Sequence, residues 1–407
     1  MKFWHFSENP YPPAWKVDPK AVRVILPNRH FDPKKGSELI NRYLDEWVYC
    51  DEVGFDIMVN EHHSTSTCLS ASCMPPLAIL SRQTKKARLL VLGVPIGIRN
   101  DPLLIAEELS YIDVVSGGRL EMGLVKGVAV ELTAASVNPS TLTARFWEAH
   151  DLIKKAMTSH DGPFNFQGEF FQHRHVNIWP RPYQQPLPPV WMTSFGPQST
   201  IAIADHGYNV CAGLVALGSK SIFNAYRTRI AERGLPAPGP EKFGYLVLVG
   251  MGKTEAEGHS RALKLRGFFE SSEIVPEPFP NPVGYAPAEA MVKTLRAGGG
   301  KAMRRTSRDG STVNFATASI PELIHAGACF AGTPDQVVEQ IRELNDYTGG
   351  FGHILGMMQG GELTHEETID SMNLFSREVM PRLQDMRARP SEESDRIDSI
   401  REGIKAA

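Results

Sequence analysis

One segment of the sequence indicates the fold most clearly: Gly54-Phe55-Asp56-Ile57-Met58-Val59-Asn60-Glu61-His62-His63. Its first residues are mostly apolar and predict a short buried strand, and a carboxylate and two imidazoles follow where that strand ends. In a barrel of parallel strands the active site lies at the C-terminal ends of the strands. Histidine can transfer protons near neutral pH because its ordinary pKa is about 6.5. His62 is therefore a candidate catalytic residue; the alternative is that both histidines only cap the strand.

Composition and charge exclude several classes of protein. The chain has 407 residues, a formal net charge of −3 and five cysteines. This charge offers no basic surplus for nucleic acid or an anionic membrane. The odd number of cysteines, without CxxC spacing, is typical of reduced thiols in a cytosol. The N-terminus does not resemble a signal peptide, and no run approaches the roughly 18 apolar residues of a membrane span. We therefore expect a cytoplasmic protein without nucleic-acid or membrane partners.

Segments with strand-like and helix-like spacing alternate along most of the chain. Eight segments predict strands: Lys2–Phe6, Gly54–Asn60, Leu89–Val94, Leu120–Val125, Pro189–Thr193, Asn209–Leu214, Phe243–Met251 and Gly352–Met357. Helical segments separate most of them, which predicts an α/β fold, a (β/α)8 TIM barrel over residues 1–388. A doubly wound sheet is the alternative, but the first crossover lacks the glycine-rich phosphate fingerprint of that fold.

Two regions depart from this alternation. Residues 271–331 are rich in proline and glycine and form a long insertion before the last βα unit. Loops of this length in a compact domain are usually lids, so we predict a mobile lid there. Residues 389–407 form a charged C-terminal tail, which we expect to fray or pack loosely on the surface.

Two predicted strand ends carry groups suited to a phosphate. Lys126 lies between glycines after the fourth strand and offers a point charge. The segment Ser194-Phe195-Gly196-Pro197-Gln198-Ser199-Thr200 follows the fifth strand and opens a helix, whose N-terminus attracts anions. Each pattern alone more often marks plain capping. On adjacent strands of a barrel they predict a phosphate pocket beside His62.

A metal site is not predicted. Glu61, His62 and His63 are consecutive, and three neighbours on an extended strand cannot all face one ion.

The chain resembles the bacterial luciferase-like family of flavin-dependent monooxygenases. Each segment that carries the resemblance is a loose pattern, but together they follow in order along nearly the whole chain. These segments are Gly54–His63, Gly93–Ile96, Asp101–Glu107, Ser116–Gly123, Pro139–Glu148 with Arg145, Pro180–Trp191, Ser194–Thr200, Gly332–Pro334, and Ser371–Phe375 with Val379–Pro381.

The resemblance implies a barrel whose C-terminal mouth binds reduced FMN, supplied by a separate flavin reductase. It places the catalytic histidine on His62, with Glu61 beside it in the cofactor site. It places contacts to the flavin phosphate on Lys126, where relatives commonly carry arginine, and on the helix start that contains Ser194, Gly196 and Ser199.

The family also often has a cis peptide bond after its third strand, where this chain has Val94-Pro95-Ile96. A bond before proline makes the cis form cheaper, but the sequence leaves open whether Val94–Pro95 is cis. The resemblance places Val94 and Pro95 within the cofactor site.

The implied chemistry starts with the addition of dioxygen to reduced FMN at C4a. The resulting peroxyflavin would oxygenate a small, largely apolar substrate such as an aldehyde or a ketone, with His62 as general acid or base. Val125 stands where luciferases carry a reactive cysteine, which argues against light emission. Members are often dimers, so a homodimer is expected. Two alternatives stay open: a deazaflavin-dependent oxidoreductase, and a flavin-binding protein without turnover.

Overall fold

The computed structural model describes residues 1–272, 275–276, 279–280, 282–285, 292, 304–388 and 392–406. Its strands are β1 (Lys2–Ser7), β2 (Asp56–Val59), β3 (Leu89–Pro95), β4 (Leu120–Val125), β5 (Phe164–Gln167), β6 (Gln172–Val176), β7 (Val190–Thr193), β8 (Asn209–Gly213), β9 (Phe243–Met251), β10 (Arg304–Thr306), β11 (Thr312–Asn314), β12 (Cys329–Gly332) and β13 (His353–Gln359). Its helices are α1 (Pro33–Val53), α2 (Met74–Gln83), α3 (Pro102–Ser116), α4 (Leu142–Thr158), α5 (Pro197–Asp205), α6 (Ala216–Glu232), α7 (Glu255–Ser272), α8 (Ile320–Ala326), α9 (Pro334–Thr348), α10 (His365–Leu374) and α11 (Glu392–Ala406).

Eight parallel strands close into a barrel, in the order β1, β2, β3, β4, β7, β8, β9 and β13, with β13 paired back to β1. These are the eight strands that the sequence predicts, and helices lie between them. The (β/α)8 barrel is therefore confirmed, and the doubly wound sheet is excluded because the sheet has no open edge between these eight strands.

Local sequence explains where the helices begin and end. Asp101 caps α3 by accepting a hydrogen bond from the Leu104 backbone N–H, and the fixed φ of Pro102 suits the first helical position. The helix ends at Gly117, whose φ of 66° lies in the left-handed region that favours glycine. Such start and stop residues align each helix with its strand, and the loops then follow the strand ends.

Side chains of the barrel strands pack on both faces. Inside the barrel lie apolar side chains such as Trp4, Phe6, Leu90 and Trp191, whereas alternate positions face the surrounding helices. Near the N-terminal pole the Trp4 indole donates a hydrogen bond to His353 at 3.0 Å. The interior is thus filled at that pole, and functional groups must lie at the other.

The five cysteines are Cys50, Cys68, Cys73, Cys211 and Cys329, and all of them are buried free thiols. No helix in the described part of the chain is long and apolar enough to cross a bilayer.

The insertion is more structured than the sequence indicates. Within residues 304–331, β10 and β11 form a hairpin, α8 follows, and β12 begins, none of which the sequence pattern indicated. A capping box between Ser319 and Glu322 starts α8, and β12 pairs in parallel with β9 from Leu248 to Met251. The predicted lid otherwise falls largely on residues 273–274, 277–278, 281, 286–291 and 293–303, which lie outside the described residues.

The C-terminal tail also differs from expectation. Residues 392–406 form α11, which packs against α6 and buries Ile397. Its isoleucines, Ile397, Ile400 and Ile404, recur at the spacing of one helix face, which explains why a charged segment still forms a surface helix.

The structure answers the question that the sequence left open at Val94–Pro95, which is trans. A non-prolyl cis peptide bond joins Leu92 and Gly93 instead. At Gly93 the strands β3 and β4 come close together, since a Cβ there would lie 2.9 Å from the carbonyl oxygen of Gly123.

The close contact of β3 and β4 yields a stability prediction. A Cβ on Gly123 would lie 2.1 Å from the backbone oxygen of Val91, so Gly123→Ala should destabilise the fold by about 2 kcal/mol or more through overpacking. In Gly218→Ala the nearest atom is 3.8 Å away, and stability should be unchanged or slightly higher. Urea unfolding of both variants measures this, and equal midpoints would contradict it.

Candidate active site

The C-terminal mouth of the barrel holds His62 between two carboxylates. Nδ1 of His62 lies 3.0 Å from Oε1 of Glu131, and Nε2 lies 3.8 Å from Oε2 of Glu8. Glu8 directly follows β1, His62 follows β2, and Glu131 ends a short 3-10 helix (Ala129–Glu131) after β4. Three separate segments therefore meet at one imidazole.

This arrangement favours the protonated form of His62. Burial would lower the pKa of His62, but the charge of Glu8 and the hydrogen bond to Glu131 outweigh it, so the pKa is raised. Burial would raise the pKa of Glu131, but the hydrogen bond and charge of His62 lower it. Because the His62 pKa is higher in the folded state, its contribution to stability is complete below the unfolded pKa of about 6.5. It is lost as pH rises through the folded value.

Glu61 contacts Arg99, His63 and the backbone of Cys73 rather than the His62 ring. Its Oε1 accepts from the Arg99 guanidinium at 2.6 Å and lies 3.0 Å from Nε2 of His63. Its Oε2 accepts from the backbone N–H of Cys73 at 3.1 Å, just before α2. Burial would raise the pKa of Glu61, but His63 and Arg99 outweigh it and lower that pKa. Glu61 thus fixes the loop after β2, and its predicted contact with a cofactor stays a prediction.

Lys126 and Ser194 lie at the ends of neighbouring strands. β4 and β7 pair in parallel with Gly123 opposite Trp191, and the same register continued by three residues places Lys126 opposite Ser194. The Lys126 side chain is half-buried, and burial lowers the pKa of its ammonium. Among the described residues no carboxylate lies within ion-pair distance of that ammonium, so its charge remains available to an anion.

Three hydroxyls gather at the start of α5. The Ser194 hydroxyl lies 2.8 Å from the hydroxyls of Ser199 and Thr200 and donates to the carbonyl oxygen of Gly196 at 2.9 Å. A Cβ on Gly196 would meet no atom within 4 Å, so there is open space over this turn. Hydroxyls, a helix N-terminus and a nearby ammonium are a donor set suited to phosphate.

Val94 and Pro95 are both buried where β3 ends. Val94 lines a cavity of about 480 Å³ between the first turns of α2 and α3, which Arg99, Glu108 and Glu131 also line. The cavity therefore adjoins the carboxylate that holds His62. A contact of Val94 or Pro95 with a cofactor stays a prediction.

Sequence reasoning missed Glu8, Glu131 and Arg99. Glu8 could have been found, because it follows β1 as His62 follows β2 and the same strand-end argument applies. Glu131 and Arg99 lie in loops, where no periodicity marks them. Within the described ranges, no group of three or more His, Cys, Asp or Glu side chains is arranged to hold a metal ion.

Comparison with known proteins gives a consistent set of relatives. The model of a family described as luciferase-like monooxygenase matches residues 22–350. The chain is 30% identical over 243 residues to the uncharacterized protein y4wF of Sinorhizobium fredii, covering 56% of this chain and 69% of that protein. It is 27% identical over 195 residues to the oxygenase component of the flavin-dependent trigonelline monooxygenase of Acinetobacter baylyi, covering 47% of this chain and 53% of that one. The chain thus spans about half the length of that oxygenase component.

Solved structures share the fold at lower identity. The oxygenating constituent of 3,6-diketocamphane monooxygenase of Pseudomonas putida, solved with FMN, superposes with a TM-score of 0.66 at 17% identity, covering 85% of this chain and 93% of that one. An F420-dependent secondary alcohol dehydrogenase superposes with a TM-score of 0.63 at 15% identity, covering 87% and 96%.

The position of Glu131 predicts a shift in the titration of His62. Glu131→Gln removes the charge that favours the imidazolium, so the pKa of His62 should fall toward or below its ordinary value. Histidine titration by NMR measures this, with Glu38→Gln, an exposed carboxylate paired to Lys35, as control. An unchanged His62 titration in Glu131→Gln would show that the pair does not govern the imidazole.

Proposed function

The chain belongs to the luciferase-like monooxygenase family, whose model matches residues 22–350, and on this premise we propose that it is a two-component FMN-dependent monooxygenase. A separate flavin reductase supplies the reduced FMN, and dioxygen is the second reactant. A small, largely apolar organic substrate, such as an aldehyde or a ketone, is the third. The observation that carries the proposal is the arrangement of one barrel mouth. His62 lies between two carboxylates, and Lys126, which has no ion-pair partner in the described part of the chain, follows the strand that pairs with the one leading to the Ser194 hydroxyl cluster.

The Lys126 ammonium and the start of α5 together fit a phosphorylated flavin. Lys126 supplies the charge, the α5 N-terminus supplies N–H groups, and open space over Gly196 admits a phosphate. Reduced flavin, when bound, supplies the electrons that activate dioxygen. The flavin-dependent trigonelline monooxygenase among the relatives supports a flavin as the cofactor.

His62 has one ring nitrogen free to act. Nδ1 is held by Glu131 at 3.0 Å, whereas Nε2 is 3.8 Å from Glu8, beyond hydrogen-bond distance. The proton on Nε2 is therefore the one that His62 gives to, and later takes back from, a reacting oxygen. A general acid in this position contributes about 10²- to 10⁴-fold to the rate.

Glu131 and Glu8 have supporting roles in this scheme. Glu131 orients the ring and, with Glu8, keeps it protonated, as the raised pKa of His62 indicates. Below the mouth, the barrel interior is apolar, with Phe6, Met58 and Leu92 among its buried side chains. An apolar floor keeps water away from the reacting groups.

Exposure of the protein to two reduced cofactors in turn tests the function. The protein is mixed under nitrogen with photoreduced FMN, or with reduced F420, and air is then admitted in the presence of aldehydes, ketones or sulfonates. We expect FMN binding, oxygen uptake and an oxygenated product from one substrate class. F420 binding with hydride transfer and no reaction with FMN would make the chain an F420-dependent oxidoreductase. A stable FMN complex without oxygen uptake would make it a flavin carrier.

The role of His62 can be separated from flavin binding. His62→Gln should slow product formation by about 10²-fold because the proton donor is lost, while FMN affinity stays nearly the same. His160→Gln, an exposed histidine paired to Gln185, serves as the control and should retain full turnover. An undiminished product yield in His62→Gln would remove His62 from the mechanism.

A further inference from the structure

One aromatic side chain of the insertion, Tyr285, lies against the phosphate end of the mouth. Nζ of Lys126 is 4.8 Å from the centroid of the Tyr285 ring. The Tyr285 hydroxyl donates to the carbonyl oxygen of Gly127 at 3.3 Å. Tyr285 therefore contacts both the cationic side chain and the backbone of the residue that follows it.

Apolar contacts on another side of the residue also hold Tyr285 in place. Its ring packs against the apolar cluster of Ile98, Leu132 and Leu142. The preceding Gly284 has a φ of 91°, and a Cβ there would lie 3.0 Å from the Cβ of Ser140, so glycine permits the approach. Burial raises the pKa of Tyr285, and the charge of Glu131 raises it further. The ring thus contacts the Lys126 ammonium on one side and the apolar cluster on another.

The Tyr285 ring holds the Lys126 ammonium in place, which no carboxylate in the described residues does. A lysine side chain is long and loses much conformational freedom when its ammonium is fixed at one place. The face of an aromatic ring attracts that ammonium without neutralising its charge. A carboxylate in the same position would compete with an incoming phosphate, whereas an aromatic face holds the cation and leaves it available.

We propose that Tyr285 is a positioning residue that holds the Lys126 ammonium for the phosphate and so sets the preference of this protein for phosphorylated over unphosphorylated flavin. The inference rests on the proposed function, since it assumes a flavin at the mouth. It assigns to the insertion a role in cofactor selection through a single side chain.

Two substitutions at one position separate the ring from the hydroxyl. Tyr285→Leu keeps an apolar side chain for the Ile98 cluster but removes the aromatic face, and Tyr285→Phe keeps the face but removes the hydroxyl. Binding of photoreduced FMN and of photoreduced riboflavin is measured under nitrogen by calorimetry, and the ratio of the two dissociation constants is the readout. Urea unfolding checks that each variant is folded.

The wild type and Tyr285→Phe should both prefer FMN. Tyr285→Leu should lose about 3- to 10-fold of that preference, the range expected for a partly desolvated cation–π contact. In Lys126→Ala the preference should fall further, and adding Tyr285→Leu to it should change nothing more, because the ring then has no ammonium to hold.

Two outcomes would overturn the inference. A wild-type ratio in Tyr285→Leu would show that the ring does not act on phosphate binding. An equal loss in Tyr285→Phe and Tyr285→Leu would assign the effect to the hydroxyl bond with Gly127 instead. Failure of the proposed function looks different: a chain that does not use FMN would show no preference for FMN over riboflavin in the wild type, and a flavin carrier would keep that preference but take up no oxygen.

Discussion

The geometry of the site depends on Glu131, a buried carboxylate that needs a hydrogen-bonded ion-pair partner. Glu131 is 2% exposed, and a carboxylate at that depth is costly unless it is paired and hydrogen-bonded. Its partners are the His62 imidazole and the backbone N–H of His63 at 3.0 Å, which both belong to the segment after β2. The loop after β4 is therefore tied to the end of β2, and the charge and orientation of His62 follow from the fold itself.

The two sides of the mouth carry opposite electrostatic character. Around His62 lie two carboxylates, whereas the Lys126 ammonium has no ion-pair partner in the part of the chain that the structure describes. Under the proposed function, this difference in charge would draw the anionic tail of a flavin to Lys126 and the α5 start, away from the carboxylates beside His62. The barrel fold produces this difference in charge across the mouth because His62 follows β2 and Lys126 follows β4, and only β3 lies between those two strands.

The parts of the fold that could be predicted are those governed by burial on both faces of a strand. Runs such as Leu89–Pro95 are wholly buried and therefore continuously apolar, so the eight barrel strands are visible in the sequence. His62, Lys126 and Ser194 could be found because strand ends meet at one pole. Glu131 and Tyr285 could not, since each lies in a long loop and its role depends on a tertiary contact. The strand β12 was not predicted for a similar reason, because it has only four residues and lies at the end of a glycine-rich insertion, which leaves no periodicity to detect.

The burial of the cysteines bears on the proposed reaction with dioxygen. The thiolate form of cysteine is the one that oxidants attack, and exposure to solvent makes that attack easier. Burial raises the pKa of all five cysteines of this chain, and none of them is exposed. Each sulfur is therefore held in the thiol form inside the fold. Under the proposed function, this would protect the chain from peroxide formed at its own site.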